Sequence, residues 1–283
     1  MILELPEGSS GSGISYYEKL MGCNRKAFLA NNEALVREIG GIDGQAIGIL
    51  MHAFLELYDN RQIVYGDLES IKIEDHWAIK NPSNLIEARR LMNWWMMTYE
   101  PEHFGETVGT EIFLADNSVL KETFGIPSNK KLTARLDLVT RMTEEKADKF
   151  QKIRDTIIEP GLWIVDHKWY KVRSGFINVR ESMQMLAYPI IFDEWKKSVD
   201  SLKDEKLNGI IIHFGIKTKT PGSEIVIRYN NDIEEDTNVL RAFFKEALEN
   251  EKKGNVTNPT LCYPFAQNAC PFAPTETGIC RRY

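Results

Sequence analysis

Asp166 and Lys168 flank His167 at the end of an apolar run, Gly161-Leu162-Trp163-Ile164-Val165-Asp166-His167-Lys168-Trp169. The run is rich in β-formers, which predicts a buried strand. Residues two apart on a strand point to the same face, so the acid and the lysine project together from one end of a sheet. Two chemistries suit such a pair. One is a solvated ion pair that ends the strand. The other is a centre in which the carboxylate holds a divalent cation while the lysine handles a reacting oxygen.

Three other elements carry residues of matching chemistry. A strand-like stretch, Lys131–Arg141, places Arg135 and Asp137 on one face and Leu136 and Leu138 on the other. An acid inside an apolar strand is costly unless it is paired or bound to metal, so Asp137 is a salt-bridge partner or a ligand. A helix expected over Asp43–Tyr58 puts Gly48, His52 and Glu56 four apart on a shared face. His52 there is a packed or surface residue, or a further ligand. A helix expected over Val179–Lys197, interrupted or kinked near Pro189, carries Gln184 and Tyr188 on one face.

The rest of the chain must position these side chains. Gly8–Gly13 is a flexible Gly/Ser lead-in. Ser15 is placed to cap a helix running through Tyr16, Leu20, Cys23, Ala27 and Phe28. Residues 61–82 look loop-like, and a helix over Ser83–Tyr99 carries the stripe Leu91, Trp94, Trp95 and Met96, read as core. Strands are expected at Thr107–Leu114 and Val119–Phe124, and Thr143–Glu159 looks like a charged surface insertion. Strands at Asn208–Gly215 and Ser223–Tyr229 join through Pro221-Gly222, and a helix over Ile233–Lys252 leads into the tail.

Composition narrows the class. The 283 residues can bury a large core, and 43% hydrophobic with 27% charged residues is ordinary for a globular protein. No apolar run of about 18 residues predicts a membrane span. The N-terminus lacks the basic and apolar regions of a signal peptide, so a cytoplasmic setting is the expectation. A net charge of −6 argues against a protein that coats nucleic acid electrostatically. A local basic path stays open, with Lys168, Lys171, Arg173 and Arg180 close together. No G-x-x-x-x-G-K-[ST] loop occurs, which excludes a P-loop motor.

Cys23 lies near the start, while Cys262, Cys270 and Cys280 sit in a proline-rich tail. Such a tail makes poor core, so three thiols there suit a metal that folds it. Cys23 as fourth ligand would staple the chain ends together, and either zinc or a [4Fe–4S] cluster accepts four thiolates.

Taken in order, Gly48…His52, Arg135-Leu136-Asp137, Asp166-His167-Lys168 and Gln184…Tyr188 resemble the RecB-type branch of the PD-(D/E)XK nuclease superfamily. That branch reads G-x-x-x-H, R-x-D, D-x-K and Q-x-x-x-Y. Ser15 to Phe28 is similar to the S-x-x-x-Y-x-x-C-P-R-K-F opening of its iron–sulfur members, among them CRISPR-associated RecB-like exonucleases and the AddB nuclease domain. Asn24 stands where that opening has proline, and the spacing C-x7-C-x9-C is wider than the family's C-x2-C-x5-C.

The resemblance implies an α/β fold with a restriction-endonuclease-like core, a mixed central sheet flanked by helices. It implies one nuclease domain over 1–283, in which 1–40 and 253–283 form the cysteine region and 41–252 the core and its helical elaboration. It implies Mg²⁺ or Mn²⁺ held by His52, Asp137, Asp166 and the His167 carbonyl. Lys168 would orient or deprotonate the attacking water, and Gln184 and Tyr188 would position the DNA backbone. Cys23, Cys262, Cys270 and Cys280 would hold a structural [4Fe–4S] cluster, with zinc the alternative. Arg135, Lys171 and Arg173 are candidates for phosphate contact, and Trp169 or Tyr170 for base stacking. The expected activity is exonucleolytic, with single-stranded DNA favoured. A helicase or another recombination or CRISPR-adaptation protein is the expected partner, with no membrane involved. The alternatives are a non-catalytic DNA-binding subunit that keeps the fold and a restriction-type endonuclease.

Overall fold

The computed structural model describes residues 1–5, 14–22, 43–114, 117–154, 158–170, 182–230 and 232–253. A five-stranded mixed sheet carries helices on both faces. Its strands are β3 (Glu106–Leu114), β4 (Ala134–Met142), β5 (Gly161–Tyr170), β6 (Leu207–Ile216) and β7 (Gly222–Tyr229), in that spatial order. Within this sheet only β5 and β6 run parallel. The other neighbours are antiparallel. The parallel pair needs a long crossover, and α6 (Met183–Lys196) lies between the two strands in sequence. Short strands β1 (Ile2–Leu3) and β2 (Lys72–Ile73) pair separately.

Alternation along β5 sorts the core into two layers. Leu162 and Ile164 join the face covered by α1 (Ile14–Gly22), α4 (Ser118–Phe124), α6 and α7 (Ile233–Lys252). Trp163, Val165 and Trp169 join the face covered by α2 (Asp43–Asp59), α3 (Pro82–Thr98) and α5 (Glu144–Arg154). Helix starts follow local chemistry. Asn81 accepts from Ser83 N ahead of Pro82, Ser182 accepts from Met185 N, and Asp232 accepts from Glu235 N. No described helix is long and apolar enough to cross a membrane.

Several expectations are corrected here. Val119–Phe124 is part of helix α4, not a strand. Asn117 caps it, Gly125 ends it at φ +69°, and Leu120 and Phe124, four apart, bury one stripe. Thr143–Glu159 is not merely a surface insertion, because α5 buries Ala147 and Phe150 in the second core layer. Pro189 lies inside α6 without interrupting it. Leu136 and Leu138 do not share a layer: Leu136 packs with the α6–α7 side and Leu138 with the α2–α3 side. The alternation of β4 breaks between them, at Asp137.

Candidate active site

The break at Asp137 is where the sheet opens. The β4–β5 ladder runs from Met142↔Gly161 to Leu138↔Val165 and stops. One residue further, the Asp137 carboxylate replaces the backbone as acceptor, and His167 N–H donates to its Oδ2 at 2.8 Å. On the other side, the β3–β4 register passes from Thr110↔Leu138 to Ile112↔Leu136 with Glu111 between them. Glu111 takes φ +46°, a left-handed conformation uncommon for a non-glycine residue. Two strand irregularities therefore turn two carboxylates into one gap.

His52 enters that gap from α2. Its Nδ1 lies 3.4 Å from Asp137 Oδ1 and 3.5 Å from Glu111 Oε1. One donor atom from each of His52, Glu111 and Asp137 lies within 4.8 Å of the other two. Burial alone would lower the His52 pKa, but the charges and hydrogen bonds of Asp137 and Glu111 overcome it and push it up to about 10. Burial would raise Asp137, yet His52, and then Lys168, hold it well below the usual carboxylate range. The field that keeps a proton on His52 is the field a divalent cation would meet. An imidazole nitrogen with two hard carboxylates fits Mg²⁺ or Mn²⁺, and His52 must release its proton to become a ligand.

The opposite face of β5 carries a second polar group. Lys168 Nζ lies 2.9 Å from both Asp166 oxygens, donating to Oδ1, and donates to Gln184 Oε1 at 3.1 Å. Gln184 Nε2 in turn donates to the Tyr188 hydroxyl. The i, i+4 spacing on α6 makes that last contact possible. Asp166 is fully buried. Burial, opposed by Lys168 and reinforced by Asp137, raises its carboxyl to about 6. Burial also pushes the Tyr188 phenol well above its ordinary value, with Asp166 adding to the shift.

Asp166 does not stand among the three clustered donors; in this structure it is the partner of Lys168, through the ion pair that the alternation of β5 permits. Tyr188 is 3% exposed, with its hydroxyl held by Gln184. The His167 ring faces away from Lys168, and its Nδ1 meets His213 Nδ1 of β6 at 3.0 Å. One ring must donate and the other accept, which a neutral His167 satisfies, and burial lowers its pKa to about 3.

Arg135 is 41% exposed at its side chain and lies 3.4 Å from Glu111 Oε2. Trp169 lies near the end of β5 on its α2–α3 face. The ring is 8% exposed and packs against His213 and Trp95, and a Cβ on Gly215 would come within 2.2 Å of it. Of the Leu91–Met96 stripe, Leu91, Trp95 and Met96 are buried core, with Trp95 at 2% exposure, and Trp94 packs against them partly buried. Lys171, Arg173, Cys23, Cys262, Cys270 and Cys280 lie outside the described residues, as does the Tyr170 side chain. Sequence reasoning missed Glu111 and His213. Glu111 belongs to no spaced motif and owes its place to a backbone irregularity. His213 was visible only as a polar residue inside the apolar run Ile210–Phe214.

A sequence profile of the PD-(D/E)XK nuclease superfamily matches residues 14–281. None of the curated proteins compared with the chain matches it. Among solved structures, the chain is similar to a protein from Eubacterium rectale described as a candidate exonuclease. The two share 15% identity and a TM-score of 0.47 over 94% of this chain and 93% of that one. With the match covering nearly its whole length, the chain belongs to the PD-(D/E)XK nuclease superfamily.

Proposed function

We infer that this protein is a divalent-metal-dependent deoxyribonuclease that degrades DNA from its ends, single strands preferred, as a RecB-like member with a four-cysteine cluster. The observation that carries the nuclease reading is the gap at Asp137. It sets the donors His52, Glu111 and Asp137 beside the chain Asp166–Lys168–Gln184–Tyr188. His52, Glu111 and Asp137 would hold Mg²⁺ or Mn²⁺, with Asp166 and the His167 carbonyl as further oxygen ligands. Such a cation supplies Lewis acidity toward a phosphodiester and a nearby water. Lys168, held between Asp166 and Gln184, presents N–H donors that orient the water and stabilise charge developing on phosphate oxygens. Gln184, braced by Tyr188, fixes where Lys168 points. Arg135, Lys171 and Arg173 are phosphate contacts in this reading.

The exonuclease and cysteine-cluster parts rest on the motif set. Packing between α1 and α7 supports the cluster part. Tyr16 of α1 donates to Glu251 of α7 at 3.0 Å, and Asn250 Nδ2 lies 4.0 Å from Met21 Sδ. The chain therefore passes into both cysteine-bearing segments from neighbouring points. Four thiolates suit a [4Fe–4S] cluster, with zinc the alternative, and hydrolysis moves no electrons, so the role is structural. A helicase or another recombination or CRISPR-adaptation partner would supply open ends.

The test compares linear with covalently closed circular single-stranded DNA, with Mg²⁺ or Mn²⁺ added. Loss of the linear form alone is expected. Lys168→Ala should cut the rate by at least about 100-fold while the protein stays folded. Full activity in that variant sinks the assignment. Cleavage of circles into discrete bands would point to a restriction-type enzyme, and no cleavage with tight binding to a non-catalytic subunit.

A further inference from the structure

Phe113 is a large aromatic ring left 56% exposed on β3, the edge strand of the five-stranded sheet among the described residues. A single exposed apolar side chain needs no explanation by itself. What distinguishes this one is its neighbour. Phe113 faces Arg135 directly across the β3–β4 ladder, and the Arg135 guanidinium carbon lies 6.0 Å from the ring centroid. The same guanidinium reaches Glu111 at 3.4 Å, and Glu111 is one of the three clustered donors. Ring, guanidinium and carboxylate thus form a continuous row running outward from the gap in the sheet.

We propose that Phe113 is a stacking platform for an unpaired base of the DNA strand, next to the phosphate held at Arg135 and the metal donors. The inference rests on the nuclease reading and specifies its substrate, a strand with a free base beside the scissile position. Cross-strand neighbours on a sheet sit about 5 Å apart, which is within the spacing of a base and the phosphate of its own nucleotide. A ring accepts any base, so the contact suits sequence-independent degradation. It also suits a chain of net charge −6, because stacking adds affinity that salt does not screen. Arg135 beside the ring keeps the aromatic face oriented through its cation–π interaction.

The experiment measures binding of a fluorescein-labelled oligothymidylate by anisotropy, with Ca²⁺ in place of Mg²⁺, beside the same strand made abasic. Phe113→Ala should weaken binding to the oligothymidylate by roughly 5- to 100-fold, the range for losing one stacked base. Phe113→Trp should restore it. On the abasic strand, wild type and Phe113→Ala should bind alike. The salt dependence should not change in Phe113→Ala, whereas Arg135→Ala should lower its slope by about 0.7, one single-strand phosphate contact. Unchanged affinity of Phe113→Ala for the oligothymidylate, with wild type cleaving DNA, overturns the platform and leaves the nuclease reading intact. A wild-type protein that neither binds nor cleaves overturns both.

Discussion

Glu111 holds φ +46° inside an edge strand, a conformation that costs an L-residue about 1–2 kcal/mol. Strain of this kind persists where the surroundings over-determine it, and here His52 and Arg135 both draw on the carboxylate. Comparing two truncations separates the backbone from the side chain. Glu111→Ala and Glu111→Gly both remove the carboxylate, but only glycine relaxes at positive φ. Glu111→Gly should therefore melt higher than Glu111→Ala, by about 1 kcal/mol, with both losing metal-dependent cleavage. Wild-type cleavage by either would remove Glu111 from the donor set. This residue shows where sequence reading stops. His52, Asp137, Asp166, Lys168, Gln184 and Tyr188 are legible as candidates because each sits at a fixed spacing on a periodic element. Glu111 is not, because its place goes with a left-handed backbone conformation that no sequence spacing announces. Trp169 shares parity with Trp163 and Val165, which assigns it to the α2–α3 face.

The helix that delivers His52 ends in a charge problem. Asp59 is the last residue of α2, has no basic residue in that turn, and is 9% exposed. A helix C-terminus disfavours negative charge. Burial, against a backbone hydrogen bond from Glu102 and with the Glu102 charge added, raises its pKa from 3.8 to about 7. Arg61 and Lys146 do not cancel this, since Arg61 pairs with Glu102 and Lys146 Nζ donates to the Glu102 carbonyl. Between those two pKa values the folded state binds more protons than the unfolded, so stability falls as pH rises across that window. The loss is on the order of 2–4 kcal/mol. Asp59→Asn, which keeps an acceptor and removes the charge, should raise the melting temperature at about pH 8 and change it little at about pH 5. Equal shifts at both values would show that Asp59 stays ionised in the fold. Most elements at this scale were legible from periodicity, including α2, α3, β5 and α7. The exception, α4, is too short for its i, i+4 stripe to be told from a strand without its Asn117 and Gly125 caps.

Across the whole molecule α1 and α7, the described helices next to the cysteine-bearing segments, meet on the side of the sheet that carries Lys168. Tyr17 of α1 packs edge-on against Phe244 of α7 at 5.0 Å and donates to the Lys131 carbonyl at 3.0 Å. Lys130 also pairs with Glu251 at 2.7 Å. The two helices are therefore adjacent through described contacts alone, and the proposed four-cysteine group would add a cross-link to packing that already exists. Cross-links that close long loops contribute about 2–5 kcal/mol, chiefly by restricting the unfolded chain. Cys280→Ala should accordingly lower the melting temperature by roughly 5–15 °C without abolishing the fold, and should remove the visible absorbance of an iron–sulfur cluster. Cys23→Ala opens the same loop from its other end. The two substitutions act on one unit, so the double variant should lose little more than either single one. Additive losses would mean that Cys23 and Cys280 serve separate structures. A colourless wild-type protein holding stoichiometric zinc would keep the staple and replace the cluster.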